Sequence, residues 1–270
     1  MVTVSEVLIW AAQREPQLAS YYELHQALLA LQEQAEQAIT VPVEITEDEV
    51  ATQTRQGLPA ITFDRLPIDP QRFAQLALEL ARILQDFKVE TGDPVLPADD
   101  GEWIALARQS FTNGMAISEE APASHVVDAS LAQMATGLAL KPYLRRAARQ
   151  VLPYINRDLW YRGYCPVCGG APDFAALDAE TGARRLLCSR CDAQWPYRRI
   201  GCPFCGTTDH TKIIYYLGAD DVYRLYVCRA CRHYLKTIDM RRVDREVLLP
   251  AERIITVAMD AAAQQEGYLG

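Results

Sequence analysis

Apolar residues recur at helical spacing through the first half of the chain. Between Leu18 and Ile39, the residues Tyr21, Leu24, Leu28, Leu31 and Ala35 fall on one stripe at intervals of three and four. A second stripe, Phe73, Leu76, Ala77, Leu80 and Leu84, follows Asp69-Pro70, which reads as an N-cap and a first-turn proline. Thr3-x-x-Glu6 and Thr46-x-x-Glu49 are capping boxes, each ahead of an apolar residue. Further helices are expected around 102–112 and 124–152, the latter with Pro122 ahead of it and interrupted at Lys141-Pro142. Val41–Ile45 and Leu58–Phe63 each contain a proline and read as extended linkers or edges, while 91–101 reads as a loop.

The pattern changes after Pro153. Arg185–Cys188, Ala193–Arg199, Ile213–Leu217 and Val222–Val227 are short and rich in aromatic and branched residues, as β-hairpins require, with a turn at Gly218–Asp221. A last helix is expected over 251–265, with Ile254, Ile255, Ala258, Ala261 and Ala262 on one face and an end near Gly267.

Composition sharpens this division. The chain has 270 residues, half of them apolar, and a net charge of −8. Residues 165–250 hold 13 Lys or Arg against 10 Asp or Glu, so the acidity belongs to the helical part. That balance is thin for a nucleic-acid binder, which needs a basic face. No stretch reaches the 18 apolar residues of a membrane span. The start of the sequence lacks a basic n-region and carries an early acidic residue, which points to a reduced, cytoplasmic setting.

All eight cysteines form Cys-x-x-Cys pairs: Cys165/Cys168, Cys188/Cys191, Cys202/Cys205 and Cys228/Cys231. Nineteen residues separate the first two pairs and 22 the last two, intervals that suit two knuckles closing one tetrahedral site. A two-residue gap lets one tight turn present two sulfurs to the same ion. Pairing in chain order gives one site from Cys165, Cys168, Cys188 and Cys191 and another from Cys202, Cys205, Cys228 and Cys231. An interleaved arrangement needs longer reaches, and disulfides suit a small secreted chain better than this one. Sulfur ligation accepts iron or zinc.

Gly169 and Gly206 follow the second cysteine of their knuckles, where a positive φ ends the turn. The equivalent positions hold Asp192 and Arg232, so the second knuckle of each site is expected to be less regular. Arg190, Arg198, Arg199, Arg229, Arg232 and Lys236 lie near the knuckles and form either a solvated face or a counter-charge for the sulfurs. His233 reads as a surface group or as support for the site rather than a ligand.

The expected fold is therefore α+β. An N-terminal all-helical domain (1–160) precedes two tandem rubredoxin-like or zinc-ribbon modules of four cysteines each (161–200 and 201–250), and a C-terminal helix (251–270) packs on the rest. Catalysis gains no support, because the cysteines divide into two closed sites with no open ligand position and no spare thiol. His25, His125, His210 and His233 form no triad or ligand spacing, and Asp99-Asp100 and Glu119-Glu120 read as solvated pairs. Three roles remain for two metal sites beside a helical domain: a nucleic-acid-binding ribbon, a rubredoxin-like electron carrier, and an assembly factor that binds another protein.

Tyr164-Cys-Pro-Val-Cys-Gly-Gly-Ala-Pro172, Leu187-Cys-Ser-Arg-Cys191 with Trp195 and Arg198, Cys202-Pro-Phe-Cys-Gly206 and Cys228-Arg-Ala-Cys-Arg-His-Tyr-Leu-Lys236 together resemble the formate dehydrogenase accessory protein FdhE family. The closing Gln265-Glu-Gly-Tyr268 is similar to the family's C-terminal helix, while the helical part, including Lys141-Pro-Tyr-Leu144, carries weaker motifs. The resemblance implies a cytoplasmic, non-catalytic maturation factor that binds the catalytic subunit of a molybdenum- or tungsten-containing formate dehydrogenase. It implies rubredoxin-type iron sites on the eight cysteines and leaves a homodimer open, while the charge balance and the lack of a long apolar run speak for no nucleic acid and no membrane. Trp195, Tyr234 and Lys236 either pack the ribbons or contact the partner.

Overall fold

A computed structural model describes residues 2–89, 95–116, 130–218 and 221–270. The N-terminal part consists of α1 (Val4–Arg14), α2 (Ala19–Ala38), α3 (Glu47–Arg55), α4 (Pro70–Asp86), α5 (Asp100–Asn113) and α6 (Leu131–Val151), in the positions that the apolar stripes predict. Both capping boxes form, and Asp69 accepts a bond from Arg72 N at the start of α4. Asp99 likewise caps α5, which gives that residue of the Asp99-Asp100 pair a structural role. Pro122, His125 and Glu119-Glu120 lie outside the described residues.

Pro142 does not interrupt its helix. α6 runs through it from a Ser130 cap, because the backbone carbonyl that a proline leaves without an N–H finds another donor. That carbonyl belongs to Leu138, and the Gln32 side-chain amide from α2 reaches it at 2.9 Å. Gln32 is 2% exposed, so the bond is made inside the bundle.

Six strands follow: β1 (Pro172–Leu177), β2 (Arg184–Cys188), β3 (Gln194–Tyr197), β4 (Ile213–Leu217), β5 (Tyr223–Cys228) and β6 (Tyr234–Asp239). They form one sheet in the order β3-β2-β1-β6-β5-β4, with antiparallel pairing inside each half and a parallel β1–β6 seam between them. The two ribbons thus share a sheet. Gly163 crosses the backbone of Pro203 so closely that a Cβ there would stand 1.8 Å from the Pro203 carbonyl oxygen, which makes glycine obligatory at that contact.

The C-terminal helix is broken. α7 (Leu249–Ile255) and α8 (Val257–Gln265) meet at Thr256, whose hydroxyl bonds to Glu252 O and whose ψ of 22° turns the axis. The break rotates the buried face: Ile254 and Ala263 are covered, whereas Ala258, Ala261 and Ala262 are exposed. Helices α4, α5 and α6 and the first ribbon share one apolar core that contains Trp103, Trp160, Trp195, Cys165, Cys168 and Cys188. No helix among the described residues is long and apolar enough to cross a membrane.

Candidate metal centres

Three of the four knuckles are tight turns closed by their own backbone. Gly169 N donates to Cys165 O (3.0 Å), Gly206 N to Cys202 O (2.9 Å) and Arg232 N to Cys228 O (2.8 Å). The turn ends in the left-handed region at all four knuckles, with φ of 71° at Gly169, 72° at Gly206, 57° at Asp192 and 63° at Arg232. The second knuckles thus reach the same left-handed conformation as the first despite their residue types, and the Cys228 knuckle keeps the closing bond, whereas none is recorded to Cys188 O. Tertiary contacts hold the two costly positions. Asp192 takes an ion pair from Arg145 (2.7 Å) and another from Arg253 (2.9 Å), and Arg232 lies over the Tyr268 ring at 4.3 Å while donating to Glu266 O.

The turns gather the sulfurs in chain order. Cys165, Cys168, Cys188 and Cys191 form one cluster and Cys202, Cys205, Cys228 and Cys231 the other, with all sulfurs of a cluster within 4.8 Å of one another. Cys165 and Cys191 stand 3.5 Å apart, as do Cys168 and Cys188, and Cys168 lies 3.6 Å from Cys191. In the second cluster Cys202 is 3.6 Å from Cys231 and Cys205 is 3.8 Å from Cys228. A tetrahedral ion with sulfur ligands at about 2.3 Å sets sulfur–sulfur edges of about 3.8 Å. A disulfide would need about 2.05 Å. The donor set and its spacing thus fit one ion in each cluster.

The ionisation of the thiols supports that fit. Burial pushes the Cys165 and Cys191 thiols far up, whereas hydrogen bonds from Cys165, Cys188 and Cys191 hold Cys168 well below the usual thiol range. A divalent ion in the cluster would remove the burial penalty on ionising Cys165 and Cys191. In the second cluster a hydrogen bond from Cys202 brings Cys231 down to about 3, and the same bond raises Cys202. His233 is not among the clustered ligand atoms. Its hydrogen bond to Cys231 raises its pKa, and its ring stacks on Phe204 at 4.6 Å.

The clusters differ in their surroundings. Cys165, Cys168 and Cys188 are fully buried, and the first knuckle is braced from the helical part, where Ala60 N donates to Pro166 O and Ile61 N to Val167 O (both 2.9 Å). Ala116 N adds a bond to Gly169 O (2.8 Å). The second cluster is nearer the surface, with Cys205 exposed and Cys231 half-buried. The C-terminal tail covers its last knuckle, where Leu269 N donates to Arg232 O (2.7 Å) and Tyr234 N to Leu269 O (2.9 Å).

Cysteine spacing gives no hint of the charged network behind the first cluster. Arg253 of α7 donates to Cys188 O (2.9 Å) and pairs with Asp192 and, at 3.4 Å, with Asp173. Burial lowers the pKa of Lys141 and raises that of Asp173, which face this network. A charged residue inside an apolar stripe, as at Lys141 and Arg253, was the available signal. Trp195, Tyr234 and Lys236 pack the ribbons: Trp195 Nε1 donates to Arg162 O (2.9 Å), and the other two hold Asp260 at 2.8 and 2.6 Å.

Comparison with known proteins places this geometry. A family model described as the FdhE central domain matches residues 164–199, which carry the whole first cluster. An FdhE homolog of Aquifex aeolicus is 34% identical over 134 residues, and the FdhE protein of Escherichia coli is 30% identical over 112. The chain is similar to FdhE proteins over these segments. The Aquifex match covers 48% of this chain and 46% of the relative, the E. coli match 40% and 35%, so the chain aligns with less than half the length of these FdhE proteins. The fold extends further than the sequence match. The crystal structure of the FdhE protein from Pseudomonas aeruginosa superposes on 98% of this chain and 91% of its own with a TM-score of 0.65, at 21% identity.

Proposed function

We propose that this chain is a member of the FdhE family and a non-catalytic accessory factor that binds the catalytic subunit of a molybdenum- or tungsten-containing formate dehydrogenase in the cytoplasm and assists its assembly. In this reading Cys165, Cys168, Cys188 and Cys191 hold one metal ion and Cys202, Cys205, Cys228 and Cys231 a second, each iron or zinc. The observation that carries it is the coincidence of the family segment with a closed set of four sulfurs. Four protein ligands leave no open position for a substrate or an activated water, so the bound ions would supply rigidity to the knuckles. The helical part (1–160), the ribbons (161–250) and the C-terminal segment (251–270) then present one combined surface to the client.

The test is co-purification with a formate dehydrogenase catalytic subunit. The parent chain is expected to retain the subunit, and Cys165→Ser and Cys202→Ser, each of which opens one cluster, to lose most of it. Equal recovery with an unrelated zinc-ribbon protein would falsify the reading. A second reading, electron carriage, draws on the exposure of Cys205 and the half-burial of Cys231. It requires iron and a reversible redox wave in the absence of any client.

A further inference from the structure

The four knuckles share one hydrogen-bond frame, and one of them lacks a bond. In each, the N–H of the first cysteine donates to a later carbonyl: Cys165 N to Gly170 O, Cys188 N to Ala193 O, Cys202 N to Thr207 O and Cys228 N to His233 O. In three, a backbone N–H then returns to the carbonyl of that cysteine, from Gly169, Gly206 and Arg232. Asp192 N makes no such bond to Cys188 O. The neighbouring strand cannot supply it from the facing position, because the residue opposite Cys188 in β1 is Pro172, which has no N–H.

A side chain from 65 residues further along takes that place. Arg253 Nη2 donates to Cys188 O at 2.9 Å, and Nη1 reaches Ser189 O at 3.5 Å. The same guanidinium pairs with Asp192 at 2.9 Å and with Asp173 at 3.4 Å. One planar fork therefore holds both the carbonyl where the knuckle opens and the carboxylate of the left-handed residue where it ends. A guanidinium suits the place because it stays charged beside a cluster of thiolates. The helix that carries it is anchored on several sides. Ile254 packs with Leu8 and Ala11 of α1 and Tyr22 of α2, and Leu249 with Phe174 of β1 and Leu187 of β2. Lys236 of β6 donates to Arg253 O at 2.6 Å, so the backbone of Arg253 is tied to the second ribbon while its side chain serves the first.

We infer that Arg253 is a positioning residue of the first metal centre, and that ion binding there and docking of α7 onto the ribbons favour each other. An ion held by Cys188 and Cys191 needs their turn to be closed, and α7 supplies the closing donor. The effect is reciprocal: whatever factor docking adds to metal affinity, the metal adds to docking. The second cluster is built otherwise. Arg232 N closes its last knuckle, and the C-terminal tail bonds to the Arg232 carbonyl instead. This coupling rests on the first cluster's holding an ion and not on the binding of any client.

Competition between the full chain and a chromogenic chelator for zinc, run without oxygen, reads the affinity of both clusters. Arg253→Met should weaken the first by about 10- to 100-fold and leave the second unchanged. Because that variant also removes a cation from Asp173 and Asp192, Arg253→Lys is paired with it. Lysine keeps the charge and lacks the fork, so this variant should fold like the parent by circular dichroism yet bind zinc at the first cluster about tenfold more weakly. Amide exchange over 250–255 should slow when zinc is added to the parent and respond far less in Arg253→Met. A first-cluster affinity in Arg253→Lys equal to that of the parent, an equal loss at both clusters, or exchange in α7 that zinc leaves unaltered in the parent would each overturn the coupling. No zinc at the first cluster of the parent would overturn the metal reading itself, and the coupling with it.

Discussion

Arg190 shows what a single residue near a knuckle can be asked to do. Its two terminal guanidinium nitrogens are enclosed without a hydrogen-bond partner among the described residues, and the group lies over the Phe111 ring at 4.7 Å. Its backbone N donates to Cys188 Sγ at 3.4 Å, and its charge helps to hold Cys168 ionised. Among the described residues no carboxylate pairs with it, and a buried cation so placed needs a counter-charge. Four thiolates around a divalent ion carry a net −2 and supply one. Arg190→Met, which keeps the length and removes the charge, should therefore weaken metal binding at the first cluster by about 10- to 100-fold, and Arg190→Lys by less. Chelator competition on the purified protein measures this, with the second cluster as internal control; a first-cluster affinity in the Met variant equal to that of the parent would refute the role. Sequence proximity could not single out Arg190 from the cations around it. Arg198, Arg199, Arg229 and Arg232 are exposed and Lys236 is buried against Asp260, while what distinguishes Arg190 is α5, a helix distant in sequence that places Phe111 and Gly114 over it.

Among the elements, α6 and the two central strands depart furthest from what local pattern suggests. Pro142 is a helix breaker by its own chemistry, and only the reach of Gln32 from α2 to Leu138 O lets α6 continue. That gives a paired prediction. Gln32→Ala leaves the Leu138 carbonyl buried and unsatisfied, at a cost of about 1–3 kcal/mol. In a Pro142→Ala background the new N–H at 142 can serve that carbonyl, so the same substitution should cost distinctly less; a denaturation double-mutant cycle giving no coupling would count against the bond. β1 and β6 were invisible for a related reason. A central strand ordinarily reads as an apolar run, yet β6 buries Lys236, Thr237 and Asp239 along with its apolar residues. Those charges are tolerated because Asp260 meets Lys236 and because Arg224 and Arg241 meet Asp239 at 2.5 and 2.7 Å. β2 to β5, whose apolar and aromatic residues dominate, were legible, and so was the cysteine pairing, which spacing alone constrains.

At the scale of the molecule, what spacing left open was how two similar ribbons come to occupy dissimilar places. The parallel β1–β6 seam makes them halves of one sheet, and the helical core closes over only one half. The first knuckle is bonded to Ala60, Ile61 and Ala116 and its sulfurs lie inside the main core, whereas Cys205 of the second cluster reaches the surface. If each cluster holds an ion as proposed, the two should leave in order. A chelator can approach the exposed Cys205 corner directly, so the second cluster should release its metal in a first phase that leaves the helical signal in circular dichroism unchanged. The first cluster has no such corner. Release there requires the knuckle to part from Ala60, Ile61 and Ala116, so the second phase should run together with loss of helix and accelerate in mild denaturant, which the first phase should not. Stopped-flow absorbance of a chromogenic chelator, recorded alongside circular dichroism, separates the two. A single phase for both ions, or loss of helix in the first, would mean that the helical core does not brace the first knuckle in the way its buried hydrogen bonds indicate.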